Sequence, residues 1–148
     1  MPNWCMNKLT IYSDSPEEFD KVKEAIKSDR DDSALSFEAI CPTPPKLKRS
    51  EEEQFHLDEW GCKWDIDEPE VAHENEKEIQ FDFNTAWSPP MNIINQLEER
   101  YPDASFSIMF LEPGEGFAGE YGGGADFQYS NGDEGYDEFA KENFDYDC

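Results

Sequence analysis

Ile79-Gln80-Phe81-Asp82-Phe83-Asn84-Thr85-Ala86-Trp87-Ser88-Pro89-Pro90 is a clean two-residue alternation that runs straight into a helix-start signal. Ile79, Phe81 and Phe83 point to one face and Gln80, Asp82 and Asn84 to the other, as a half-buried strand requires. Ser88 reads as a helix cap, and Pro89 and Pro90 as first helical positions, where the missing N–H costs nothing. Ile93, Ile94, Leu97 and Tyr101 then recur at helical spacing, and Tyr101-Pro102-Asp103 ends the helix.

Working outward, Asn3–Tyr12 reads as a first strand with Cys5, Leu9 and Ile11 on one face and Trp4, Met6, Lys8 and Thr10 on the other. Ser15-Pro16-Glu17-Glu18 is a capping box. It opens a helix with Phe19, Val22 and Ile26 on its apolar side and Lys27 and Arg30 at the negative end of its dipole. Leu35, Phe37 and Ala39 alternate with Ser36 and Glu38 in an expected second strand, which Cys41-Pro42-Thr43-Pro44-Pro45 stops. Residues 41–77 are an expected insertion. Phe106, Ile108 and Phe110 mark another strand, and the glycine-rich segment 114–124 leads into one or two more.

The order β-α-β-β-α-β is the ferredoxin-like split βαβ plan, an α+β sandwich in which two helices cover one face of an antiparallel sheet. The expected organisation is one domain over residues 1–130 and an acidic C-terminal tail over 131–148, either packed through Tyr136, Phe139 and Phe144 or disordered. Lys8, Thr10, Ser36, Glu38, Gln80, Asp82, Asn84 and Ser107 make the other sheet face polar.

The 148 residues carry 36 acids and 12 bases, a formal charge of -24. Residues 1–50 hold 9 acids and 8 bases, residues 51–111 hold 16 and 3, and residues 112–148 hold 11 and 1, so the acidity is concentrated after the first third. An aromatic content of 14% argues against wholesale disorder. Cys5, Cys41, Cys62 and Cys148 form no C-x-x-C pair, and the N-terminus shows no basic and apolar leader. A cytoplasmic protein with free thiols is expected. Ile108–Leu111, the longest apolar run, is far short of the roughly 20 residues of a membrane span.

Four phrases carry a resemblance: Met1-Pro2-Asn3-Trp4-Cys5 with Asn7, Trp60-Gly61-Cys62-Lys63-Trp64-Asp65, Thr85-Ala86-Trp87-Ser88-Pro89-Pro90, and Gly116-Phe117-Ala118-Gly119. Over about residues 1–120 the chain resembles the YubB-like ferredoxin-like proteins, uncharacterised small proteins of bacteriophages and conjugative plasmids. The resemblance implies a ferredoxin-like fold without an iron–sulfur cluster and an origin in a mobile element; it brings no catalytic residues.

Motifs of other classes fail on context. Gly114-Glu115-Gly116-Phe117-Ala118-Gly119 spells G-x-G-x-x-G, but no helix-forming sequence follows to hold a pyrophosphate, and Glu112, Glu115 and Glu120 repel phosphate. Gly116-Phe117-Ala118 echoes an RNA-recognition motif, yet its basic position is Glu115. Cys41, His56, Cys62 and His73 lack zinc spacing, and Asn131, Asp133, Asp137 and Glu142 lack the loop glycine of a calcium site, which is Tyr136 here. Neither histidine sits in a nucleophile motif. The expectation is therefore no catalysis, no cofactor and no metal.

The expected function is an acidic accessory protein that binds a host protein with a basic surface, acting against a nucleic-acid-binding defence factor by DNA-like charge. Glu112, Glu115, Glu120, Asp126, Asp133, Glu134, Asp137 and Glu138 are the candidates for the acidic surface, with Trp60 and Trp64 as candidate anchors. For Trp4, Trp60, Trp64 and Trp87 the preferred reading is a shared structural aromatic cluster, with the insertion folded over the sheet edge, and a partner-facing patch is the alternative. The rivals are a module that binds a peptide through the open sheet face and a small hydrolase.

Overall fold

The structure, a computed structural model, describes residues 4–27, 35–62, 69–86, 88–122 and 124–145. Trp64, Trp87, Arg30 and Cys148 lie outside the described residues. The elements in order are β1 (Trp4–Tyr12), α1 (Pro16–Ile26), α2 (Phe37–Ile40), α3 (Arg49–Glu59), β2 (Glu70–Glu74), β3 (Glu78–Ala86), α4 (Met91–Arg100), β4 (Ser105–Glu112), β5 (Phe117–Gly122), β6 (Ala125–Ser130) and α5 (Glu134–Phe144).

One six-stranded sheet has the order β2-β3-β1-β4-β5-β6, with every neighbouring pair antiparallel. Strands β2-β3-β1-β4 reproduce the ferredoxin-like arrangement, and the β5–β6 hairpin extends it beyond β4. The alternation in β1 and β3 does what its period requires. Cys5, Leu9, Ile11, Ile79, Phe81 and Phe83 are all buried on one face, where α1 adds Phe19, Val22 and Ile26 and α4 adds Ile93, Ile94 and Leu97 to a single core. Each such side chain contributes about 1.5–3 kcal/mol by leaving water.

Two local readings are corrected. Residues 35–39 are not a strand: Ser36 caps a short helical turn by accepting from the Ala39 N–H, and Phe37 and Ile40, three apart, bury the same side. Strand β1 is already bonded along both edges, and the free edge of β3 is taken by β2. The second strand of the ferredoxin-like plan is thus Glu70–Glu74, inside the segment read as an insertion, and all five of its residues are exposed. The same segment supplies α3, an outer layer held on α4 by Asn92 donating to the Asp58 carbonyl (2.6 Å) and Gln96 to the Glu59 carbonyl (2.5 Å).

The start of α4 also moves. Pro90, not Ser88, precedes the first helical residue, Met91. A residue before proline is driven out of the helical region, so Pro89 cannot open the helix. The Ser88 hydroxyl donates instead to the Gly61 carbonyl at 2.6 Å.

Tail residues 134–144 form α5, which lies on the sheet face opposite α1 and α4. Tyr136, Phe139 and Ala140 pack with Leu111 and Ala118 into a second, smaller core, joined by Met6, Met109, Tyr129 and Phe144. The face expected to be open and polar is therefore roofed along the strip Met6–Leu111–Ala118–Tyr129, whose members are cross-strand partners.

Glycine is required at Gly119, where a Cβ would fall on the Phe127 carbonyl oxygen and 2.9 Å from the Phe110 ring; at Gly124 (φ +91°) a Cβ would meet nothing. Gly119→Ala should lower the unfolding free energy by about 3 kcal/mol, as overpacking does. Gly124→Ala should cost about 1 kcal/mol, from positive-φ strain alone. Urea denaturation of the two variants measures the difference.

Candidate functional site

Residues from three of the four phrases singled out in the sequence meet at one end of the core. Asn7 is buried, and its Nδ2 donates to the Thr85 hydroxyl (2.9 Å) and the Cys5 carbonyl (3.1 Å). Thr85 in turn donates to the Ser88 carbonyl (2.6 Å), and Ser88 to Gly61. These polar groups close a chain of donors and acceptors that ties the start of β1 to the end of β3 and to the loop after α3. A buried amide left without such partners would cost about 1–3 kcal/mol, so the network is a structural clasp.

Trp60 belongs to the same region and is packed inside the fold, which removes it as a candidate partner-facing anchor. It is 1% exposed, its indole N–H donates to the Cys41 carbonyl at 2.9 Å, and the His56 ring stacks on it with centroids 3.8 Å apart. An aromatic with its polar handle satisfied inside the fold serves packing. Beside it, the Thr43 hydroxyl donates to Glu38 at 2.6 Å and lies 3.0 Å from His56 Nε2, while the Thr43 N–H donates to the same carboxylate at 2.9 Å. This carboxylate, hydroxyl and imidazole hold the proline-rich loop onto α2 and α3.

Among the acids, Glu112 is also corrected. It is fully buried, and its two carboxylate oxygens accept from the Gly114 and Glu115 N–H groups at 2.8 Å each, bracing the turn into β5. Glu115, Asp126, Asp133, Glu134, Asp137 and Glu138 are exposed, and Glu120 is half-buried. Glu134, Asp137 and Glu138 ride on the outer side of α5, together with Glu142, whereas Asp133 turns back to accept from the Ser130 N–H (2.8 Å). The structure thus gathers much of the expected surface on α5 and the β5–β6 hairpin, and removes Trp60 and Glu112 from it.

The roofed sheet face contains a cleft of about 190 Å³ that sequence reasoning missed. It is lined by Met6 and Lys8 of β1, Asp82 and Asn84 of β3, and Phe144 of α5. Lys8 Nζ lies 3.4 Å from Asp82 Oδ2 and 5.6 Å from the centre of the Phe144 ring. Alternation had placed the strand residues on this face, but only α5 closes it into a cleft. Phe117, the aromatic of the RNA-recognition echo, is instead in edge contact with Phe110, which belongs to the opposite, core-lining face.

Among the described residues no group of three or more His, Cys, Asp and Glu side chains is placed to hold a metal ion, and no helix is long and apolar enough to cross a membrane. Cys5, Cys41 and Cys62 are free thiols. Burial pushes the Cys5 thiol far above its ordinary range, and the nearby Glu112 carboxylate adds to the effect. Burial also raises Cys41, with Glu59 contributing.

The fold and its extended sheet define a ferredoxin-like domain protein. Residues 59–147 match the model of the "Ferredoxin-like domain in Api92-like protein" family, DUF1281 C-terminal, and the chain belongs to that family. The match runs through α5, so the roofing helix is part of the family's domain. Among solved structures, the crystal structure of protein Api92 from Yersinia pseudotuberculosis aligns at a TM-score of 0.44 and 17% identity, over 55% of this chain and 30% of that one. The chain thus spans under a third of that protein's length. No curated protein matches it.

The buried Cys5 has a consequence for stability. A thiol whose folded pKa lies above its unfolded value keeps its full stabilising contribution below the unfolded pKa and loses it as the pH rises past that point. Stability should therefore fall above pH 9.0, the thiol's ordinary value, by up to about 1.4 kcal/mol per pH unit for this group. Cys5→Ala should flatten that slope in chemical denaturation curves recorded across the alkaline range.

Proposed function

We propose that this protein is a non-enzymatic accessory protein of a bacteriophage or plasmid, acting in the bacterial cytoplasm. It binds a host protein with a basic surface and blocks a nucleic-acid-binding defence factor by presenting DNA-like charge. One observation carries this reading: the sheet face that ferredoxin-like modules use for ligands is roofed by α5, and α5 turns Glu134, Asp137, Glu138 and Glu142 to solvent.

The magnitudes support it. Duplex DNA carries one charge per roughly 1.7 Å of axis, so a charge of -24 corresponds to about 40 Å of duplex. A chain of this length has a radius of gyration near 15 Å and a diameter of about 40 Å. Charge and size are matched to a groove that holds DNA. The charge is also one-sided along the chain, because α1 mixes its acids with Lys21 and Lys23 and is followed by Lys27, whereas α5 carries a single lysine, Lys141.

The rivals find less support. Peptide binding across the open sheet would need the apolar strip that α5 covers. A hydrolase would need its reacting groups in a cleft, and Thr43, Glu38 and His56, which share hydrogen bonds, do not line the cleft at the end of α5.

Immobilised protein incubated with bacterial lysate should capture a partner that is released by high salt and displaced by duplex DNA, because exposed charges are screened within about 10 Å at 0.1 M ionic strength. A captured partner without a basic surface, or one that holds DNA and this protein together, would refute charge mimicry.

A further inference from the structure

The cleft beneath the end of α5 holds one ion pair, Lys8–Asp82, that leaves a carboxylate oxygen unmet. Across the sheet, Glu70, Asp82, Lys8, Met109 and Glu120 are successive cross-strand partners, so the row that runs through the cleft carries one ammonium and three carboxylates, of which Asp82 is the one beside Lys8. Among the described residues, the ion pair of Lys8 is to Asp82 Oδ2, at a long 3.4 Å. Asp82 Oδ1 is closed off from water and has no hydrogen-bond partner among the described residues. An acceptor left in that state is unfavourable, the more so when it is charged.

The walls state what would resolve it. The Phe144 ring, with a cation 5.6 Å from its centre, forms one side, and the Asp82 carboxylate the other. A cation between an aromatic face and a carboxylate is held twice over. The lysine ammonium is a compact point charge, whereas a guanidinium is planar: it can lie against a ring while its forked N–H groups meet both oxygens of one carboxylate. At about 190 Å³ the space is below the roughly 300–1,000 Å³ of pockets for drug-sized ligands. It suits one side chain.

From this we infer that the cleft between Phe144 and Asp82 is a subsite for an arginine side chain, and that Lys8 is a resident placeholder which an arginine displaces. The inference rests on the reading of a basic partner and names the group by which that partner is anchored. When arginine enters, Lys8 swings to solvent, and Asp82 gains donors on both oxygens.

The test uses capped arginine, Nα-acetyl-arginine amide, with capped lysine as the control, and reads amide shifts in ¹H–¹⁵N spectra of the full chain. Arginine should shift Lys8, Asp82, Asn84 and Phe144 in a saturable way, and lysine should bind more weakly. Asp82→Asn should weaken arginine binding by about tenfold or more, as expected when a charge-assisted bidentate contact is lost. Phe144→Leu should weaken it several-fold. Lys8→Ala, which vacates the cleft, should strengthen it, a gain that a merely structural Lys8–Asp82 pair does not produce. Absence of shifts at the cleft, equal binding of lysine, or weaker arginine binding in Lys8→Ala would overturn the inference. Because no partner enters this experiment, those results leave the charge-mimicry reading standing. Conversely, a salt-insensitive partner would defeat that reading without touching the cleft.

Discussion

Strand β1 is hydrogen-bonded along both edges, to β3 from Trp4↔Ala86 to Tyr12↔Glu78 and to β4 from Met6↔Leu111 to Tyr12↔Ser105. Everything else in the molecule is placed by that double pairing. It fixes which side chains share each face, because a slip of one residue would turn Leu9 and Ile11 to solvent and Lys8 and Thr10 into the core. It also commits residues 4–12 to partners about 66 to 105 positions away, so the core assembles only when distant parts of the chain meet. Such non-local pairing is slow to form.

On either side of this sheet the chain builds unequal layers. The α1 and α4 side buries large aliphatic and aromatic side chains from β1, α1, α2, β3, α4 and β4, with Trp60 packed on Phe37 among them. The α5 side is a satellite core built on Leu111, Ala118, Tyr136, Phe139 and Ala140. An eleven-residue helix is too short to persist alone in water, so α5 exists because Phe127, Tyr129, Phe139 and Phe144 stack around its seat. The acidic outer side of that helix is affordable only because its inner side is aromatic.

The sequence made β1, α1, β3, α4 and β4 legible, because each has one wet and one dry side and so shows a period. Strand β2 shows none. It is exposed on both faces at the sheet edge, and an element without a buried side leaves no pattern in its residues. Residues 35–40 misled for the opposite reason: Leu35 and Phe37 fit a strand by their spacing of two, but Phe37 and Ile40 fit a helical turn equally well, and both edges of β1 were taken. The candidate site was legible only in part. Alternation set Lys8, Asp82 and Asn84 on one face, while their meeting with Phe144 depends on where α5 lands, which no local spacing encodes. For Trp60, residue type alone could not separate a packed indole from an exposed one; its donor's partner, the Cys41 carbonyl, decides it.

The bare edge of β2 bears on how copies of this chain treat one another. An edge strand is a template for pairing, and two copies docking β2 to β2 in antiparallel register about Ala72 would set each Glu70 against a Glu74. The offset between Val71 and His73 would break the ladder at the centre as well. Like charges at both ends and a bulge between them make the sheet's most accessible edge a poor seam for fibrils, so a crowded solution of this protein is guarded against continuous β-stacking at that edge by the residues that hid the strand from view.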